Sequence, residues 1–333
     1  MNGYLEEDLT YLSKFIKDNS LNTGVFLITG GTGYIGSLIV RALQKANAPE
    51  IIVAVRDVEK AKKIYGDLKG IRFLTQDLTQ KIEYDGNVDY VIHTASPTTS
   101  KYFIEKPIET INSIVLGTKN VLDFAFEKKV KSTVYLSSME AFGQVDDDMP
   151  RKEDDLGFID LKNVRSCYPE GKRLAELMCT SYAKEYGLNV CTARLSQVFG
   201  AGVFEWDNRV FKQFALSAVR GEDIVLHTEG KSLGNYTYSS DAITAIFTIL
   251  LKGERGQTYN VANEVNTLSV KQMAELVAQN FSNGKSKVVV KIPKENMGYA
   301  PETKLRLSAE KIRTLGWIPK YDLKQMYERM IGK

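Results

Sequence analysis

The chain of 333 residues is 43% hydrophobic and sets 44 Lys and Arg against 41 Asp and Glu, a formal net charge of +3. Such a chain buries a large core as one composite unit or two domains. Its small, dispersed charge excludes a nucleic-acid partner while leaving room for small anionic ligands. No apolar run reaches membrane-spanning length, "MNGYLEEDLTYLSKF" is too acidic for a signal peptide, and Cys167, Cys179 and Cys191 form no CxxC pair. A cytoplasmic protein with reduced thiols and no metal site is expected.

Leu5, Leu9, Leu12 and Ile16 recur at helical spacing until "NSLNTG" breaks the pattern, which predicts an N-terminal helical extension over 1–22. From Val25, "VFLITG" is an apolar β run, followed by a glycine-rich turn and the amphipathic "SLIVRALQKA". The order strand, turn, helix recurs. "IIVAV" at Ile51 leads to "DVEKAKKIYG", "YVIHT" at Tyr90 leads to "IETINSIVLGTKNVLDFAFEKK", and "STVYLSS" at Ser132 leads through an acidic loop to a helix at Tyr168. "LNVCTAR" at Leu188 is a further strand. Short apolar strands without alternation, separated by helices, imply a parallel sheet covered on both faces. The predicted fold class is α/β, a Rossmann-type doubly wound parallel sheet over 23–196, to which 237–262 is expected to return. The looser pattern of 197–236 and 263–333 predicts a smaller, mixed substrate-binding lobe.

In "TGGTGYIG", Gly30, Gly33 and Gly36 sit directly after the first strand. Glycines there permit a tight turn and close backbone approach, so that the N–H groups of a helix N-terminus face a pyrophosphate. The spacing alone is a weak signal; a strand before, a helix after and a second strand beyond make it a dinucleotide site.

"SCYPEGKRLAE" places Tyr168 four residues before Lys172, on one helical face. Pro169 suits only a first helical turn, so Tyr168 is expected at the helix mouth, where a substrate can reach it. A free tyrosine titrates near pH ~10 and serves poorly at neutrality unless a neighbouring cation favours the phenolate, a role for Lys172 and an oxidised nicotinamide. Ser138 ends an apolar strand where parallel sheets present ligand contacts. The bland readings are an exposed Tyr–Lys helix face and a serine that merely ends its strand.

The sequence resembles the extended short-chain dehydrogenase/reductases, in particular the nucleotide-sugar epimerase/dehydratase/reductase group. The likeness runs through "TGGTGYIG", "QDL" at Gln76, "HTASP" at His93, "YLSSMEAFG" at Tyr135, "YPEGK" at Tyr168, "ARLSQVFG" at Ala193 and "LGW" near the end. The resemblance implies that Tyr168 transfers the proton, Lys172 binds the nicotinamide ribose and lowers the tyrosine pKa, Ser138 bonds the reacting oxygen, and Asp77 holds the adenine amino group. It adds Tyr34, Ile35, Leu78, Thr94 and Ala95 as cofactor contacts and Ser96 as a substrate contact. It also implies a nucleotide-linked small-molecule substrate, as in the making of a capsular or other surface polysaccharide, and a homodimer.

Arg56 follows the second strand, where an acid would accept from the 2′-hydroxyl of NAD and an arginine suits the 2′-phosphate of NADP. NADP(H) is therefore favoured over NAD(H); the other reading makes Arg56 a solvated charge and Asp57 a helix cap. Sugar 4,6-dehydratases of the resembled group place two carboxylates after the active-site Ser or Thr, and here that pair is Met139 and Glu140. Met139 cannot protonate a leaving hydroxyl, whereas Glu140 could abstract a proton or be only a loop residue. Gly234 in "GNYTYSSD" and Gln197 stand where the group often has a diphosphate-binding arginine and an asparagine. Arg209, Lys231 and Arg306 are the substitute donors, each also readable as surface charge. The acidic "QVDDDMPRKEDD" reads as a solvated loop, and His93 and His227 as structural.

The expected function is NADPH-dependent keto reduction on a nucleotide-activated sugar or polyol. The alternative is an epimerase, 4,6-dehydratase or decarboxylase that recycles its hydride. A non-catalytic NADP-binding regulator ranks last, because both Tyr168 and Lys172 are present.

Overall fold

A computed structural model describes residues 3–145, 147–293 and 302–332. The chain opens with α1 (Gly3–Asp18), whose Leu9, Leu12 and Ile16 are buried as their spacing requires. β1 (Val25–Thr29), α2 (Tyr34–Lys45), β2 (Glu50–Val55), α3 (Val58–Tyr65) and β3 (Ile71–Thr75) follow. Asp57 starts α3 by accepting from the Lys60 N–H at 2.9 Å. The sequence reading names no strand at β3. It lies at the sheet edge with a half-buried pattern, and its exposed Arg72 pairs with Glu50 at 2.6 Å. An edge strand lacks the unbroken apolar run of a central one, which is why its signal is faint.

The alternation continues through β4 (Tyr90–His93), α4 (Ser100–Glu105), α5 (Pro107–Glu127), β5 (Ser132–Ser138), α6 (Cys167–Glu185) and β6 (Val190–Leu195). Next come β7 (Gln197–Phe199), α7 (Val210–Arg220), β8 (Ile224–Leu226), β9 (Leu233–Tyr238), α8 (Ser239–Lys252) and β10 (Thr258–Val261). The chain closes with β11 (Thr267–Ser269), α9 (Val270–Phe281), β12 (Val288–Val290), α10 (Glu310–Arg313) and α11 (Leu323–Ile331).

Seven parallel strands form the main sheet in the order β10, β6, β5, β4, β1, β2, β3. This is a doubly wound α/β fold. β7, β9 and β11 make a smaller mixed sheet, and β8 pairs with β12. One core packs α1, α2 and α8 on the main sheet, and a second packs α5 and α6 on its other face. Both faces are covered, so the central strands are buried along almost their whole length. The N-terminal helix belongs to this packing. Its buried Asp8 accepts from the Tyr238 hydroxyl at 2.5 Å and from Arg329 of α11 at 2.7 Å. Among the described residues, no helix is long and apolar enough to cross a membrane, and no group of three His, Cys, Asp or Glu side chains could hold a metal.

Candidate active site

The parallel strands all end on one edge, and their order reverses between β1 and β4, which opens a crevice there. Gly30, at φ 68°, takes a conformation L side chains rarely adopt, and a Cβ on it would lie 2.6 Å from Ala95 N. A Cβ on Gly36 would lie 2.4 Å from Gly30 O, so α2 packs directly on the turn. Gly33 is the N-cap of α2 and supplies no capping side chain, which leaves the first-turn N–H groups without a side-chain acceptor there. This cradle fits the pyrophosphate of a dinucleotide. Tyr34 and Ile35 begin α2, and the Tyr34 hydroxyl donates to Ala201 O at 3.0 Å.

Arg56 and Asp77 are exposed just beyond β2 and β3. The Asp77 carboxylate accepts from the Thr79 N–H and hydroxyl, both at 2.9 Å, and these bonds, with the Arg56 charge, hold it below the usual range. Asn120 secures the Leu78 carbonyl at 2.8 Å. Thr94 donates to Thr29 O at 2.7 Å, and Ala95 N–H to the Thr29 hydroxyl at 3.3 Å. His93 lies between Thr29 and Thr118, and burial together with Lys172 pushes its pKa down to about 3, so it stays neutral. The buried Ser96 hydroxyl finds no hydrogen-bond partner among the described residues.

Tyr168 is the second residue of α6 and Pro169 the third, as the first-turn argument requires. The phenol is less open than expected. Tyr168 is 7% exposed, and its ring stacks on Phe103 with centroids 4.2 Å apart. Lys172 donates to Leu136 O at 2.8 Å and lies 4.8 Å from the Tyr135 ring centre and 5.8 Å from that of Tyr168. Burial pushes the Lys172 ammonium down to about 7, against the opposing charge of Glu176. Burial and the nearby Glu140 raise the Tyr168 phenol, while Ser138 and Arg165 pull it down. The expected lowering of Tyr168 by Lys172 does not hold in the protein alone: the cation that pulls the phenol down is Arg165, and desolvation outweighs it.

Ser138 caps a short 3-10 turn, Met139–Phe142, and its hydroxyl accepts from the Glu140 N–H at 3.2 Å. Arg165 donates through both terminal nitrogens to Glu140, at 2.8 and 3.1 Å, and also to the Ser100 hydroxyl at 3.1 Å. Its guanidinium lies 5.7 Å from the Phe103 ring centre. Sequence reasoning missed Arg165, Ser100 and Phe103. A signal existed for the first, because Arg165 opens "RSCYPEGK" about one helical turn before Tyr168.

Met139 and Gly234, the two departures noted above, adjoin: a Cβ on Gly234 would lie 3.6 Å from the Met139 methyl. Met139 packs with Phe142, Leu305 and Leu307 into an apolar wall beside Ser138 and Glu140. The proposed phosphate donors are differently placed. Arg209 forks onto Asp207 at 2.6 Å, Arg306 donates to Asp148 O at 3.1 Å, and Gln197 and Lys231 are exposed.

A glycine turn feeding an uncapped helix at the sheet's reversal point, with Ser138, Tyr168 and Lys172 on neighbouring elements, defines a nicotinamide-dependent enzyme. The chain belongs to the NAD dependent epimerase/dehydratase family, whose profile matches residues 26–262. It is 29% identical over 320 residues to UDP-glucuronic acid decarboxylase 6 of Arabidopsis thaliana, an alignment covering 94% of this chain and 88% of that one. An epimerase structure from Methanothermobacter thermautotrophicus superposes with a TM-score of 0.80 at 23% identity, covering 97% of this chain and 94% of the other. The dTDP-glucose 4,6-dehydratase of Streptomyces venezuelae, solved with NAD bound, gives a TM-score of 0.74 at 20% identity, covering 92% and 95%.

Proposed function

We propose that the protein transforms a nucleotide-linked sugar through a transient ketone and returns the hydride, so that no nicotinamide is consumed. The observation that carries this is Glu140, held by Arg165 and close enough to Tyr168 to raise its phenol. A plain keto reduction needs one proton donor, which Tyr168 supplies; a second acid/base group is needed when a proton or carboxyl is also removed from carbon. The similarity to decarboxylases and the family's description support the same reading, so recycled hydride replaces net NADPH-dependent reduction as the favoured chemistry.

Bound NAD(P) would supply the hydride acceptor and donor. The glycine turn would hold its pyrophosphate, Asp77 its adenine end and Lys172 its ribose. Tyr168 takes the proton of the sugar hydroxyl and gives it back, with Ser138 bonded to the same oxygen. Glu140 serves the neighbouring carbon, and Arg165 orients Glu140. Decarboxylation of a nucleotide-linked uronic acid comes first among the internal reactions, because Met139 offers no second carboxylate for a 4,6-elimination.

NADP as the preferred cofactor is supported by the place of Arg56 directly after β2, where a guanidinium suits a 2′-phosphate; the Asp57 cap of α3 is the feature the solvated-charge reading shares. A homodimer is supported by the apolar face of α5 and α6, where Ile108, Leu174 and Leu177 are exposed.

The test is incubation with UDP-glucuronic acid, UDP-glucose, UDP-N-acetylglucosamine and dTDP-glucose at catalytic NAD or NADP, with products read by mass and the reduced nicotinamide by absorbance. Product without a steady absorbance change is expected. Stoichiometric loss of NADPH on a nucleotide-linked keto sugar would restore the reductase reading.

A further inference from the structure

Behind the reacting pair lies a buried ion pair to which no step above assigns a role. Glu176 follows Lys172 by four residues on α6, which puts the two on one face of the helix. The Glu176 carboxylate accepts from Arg194 of β6 through both oxygens, at 3.1 and 2.5 Å. The two side chains are 10% and 3% exposed. Arg194 also donates to Glu153 O at 2.9 Å and lies 4.5 Å from the Phe142 ring centre. The Glu153 side chain in turn accepts from Asn260 N–H of β10 at 2.8 Å. The carboxylate is thus fixed from the sheet side and cannot swing to solvent.

An ion pair this dry seldom adds net stability, because desolvating both groups offsets most of their attraction. Its position suggests a different use. We propose that Glu176, held in place by Arg194, is the counter-charge that keeps Lys172 protonated in its buried pocket, and that the pair positions the lysine charge for cofactor and tyrosine. Lys172 is itself 3% exposed and has a backbone carbonyl, Leu136 O, as its acceptor.

The other groups facing Lys172 do not supply a negative charge. From β5, Tyr135 presents its ring, and burial holds its phenol far above neutrality. From β4, His93 is neutral. On α6, Tyr168 is protonated and the Cys179 thiol is pushed up to about 12 by burial. Among these described neighbours, Glu176 alone is a carboxylate, ion-paired with Arg194. Its charge opposes the burial that pulls Lys172 down to about 7.

The experiment measures the affinity of whichever of NAD and NADP binds the unmutated protein, by calorimetry from pH 5.5 to 9.5, in the full chain and in Glu176→Asp and Glu176→Gln. Loss of the lysine charge produces an alkaline limb in affinity, and Lys172→Arg, which stays charged, should abolish that limb. Removing the anion disfavours the protonated lysine, so the limb moves to lower pH. The expected order is wild type highest, Asp next and Gln lowest, with the Gln variant displaced by about one pH unit or more. A merely structural pair would lower the melting temperature of both variants and leave the limb where it was, and that result overturns the proposal. If the Gln variant does not fold, a limb in the Asp variant that coincides with wild type has the same force. The proposal shares only cofactor binding with the proposed function, so it is tested whichever sugar reaction the enzyme performs.

Discussion

The two carboxylate oxygens of Glu140 take both terminal nitrogens of Arg165, at 2.8 and 3.1 Å, beside the phenol that they oppositely influence. The pair is half-buried, so Arg165 acts on the site through geometry as well as charge. Arg165→Met should lower kcat by about 10- to 100-fold, the range of a lost charged hydrogen bond. Combining it with Glu140→Gln should cost less than the product of the single losses, because both remove the same contact. Independent, multiplying effects in the double-mutant cycle would separate the two residues.

Tyr168→Phe keeps the ring stacked on Phe103 and deletes only the hydroxyl. Turnover should fall by about 10² to 10⁴ while cofactor affinity hardly changes. Lys172→Met should damage both. A phenylalanine variant that retains more than about a tenth of the rate would remove Tyr168 from the proton transfer.

Cofactor preference is expected to follow Arg56. Binding of NADP and NAD compared by calorimetry should favour NADP, and Arg56→Ala should remove most of the ratio, a charged hydrogen bond being worth roughly 1.5 to 3 kcal/mol. Equal affinities in the unmutated protein would show that the exposed guanidinium is only a solvated charge.

Asp241, buried at the start of α8, accepts from the N–H groups of Lys320 and Tyr321, at 2.9 and 3.2 Å, yet burial lifts its pKa from 3.8 to about 6. The folded protein therefore holds a proton that the unfolded chain has released between these values. Its contribution to stability is complete below about pH 4 and is lost as pH rises through about 6, on the order of 3 kcal/mol across the window. Denaturant midpoints for wild type and Asp241→Asn, followed from pH 4.5 to 8, should diverge in that sense. Parallel curves would mean that the carboxyl titrates normally.

The glycine turn, the apolar strands and the Tyr168–Lys172 spacing were legible in the chain because each is a relation among near neighbours. A turn needs its glycines in sequence, a buried parallel strand needs a run of apolar residues, and a helix brings residues four apart onto one face. The edge strand β3, interrupted by the exposed Arg72, lacks such a run and gives no comparable signal. Tertiary structure alone joined Glu140 to Arg165 across 25 residues and Glu176 to Arg194 across 18, because each pair spans separate elements, two short turns in the first case and a helix packed on the sheet in the second. It also decided the sign of the Tyr168 shift. Spacing shows which cation is near, but the free energy of an ionised phenol depends on how much water is removed from it, and burial under Phe103 exists only in the folded chain.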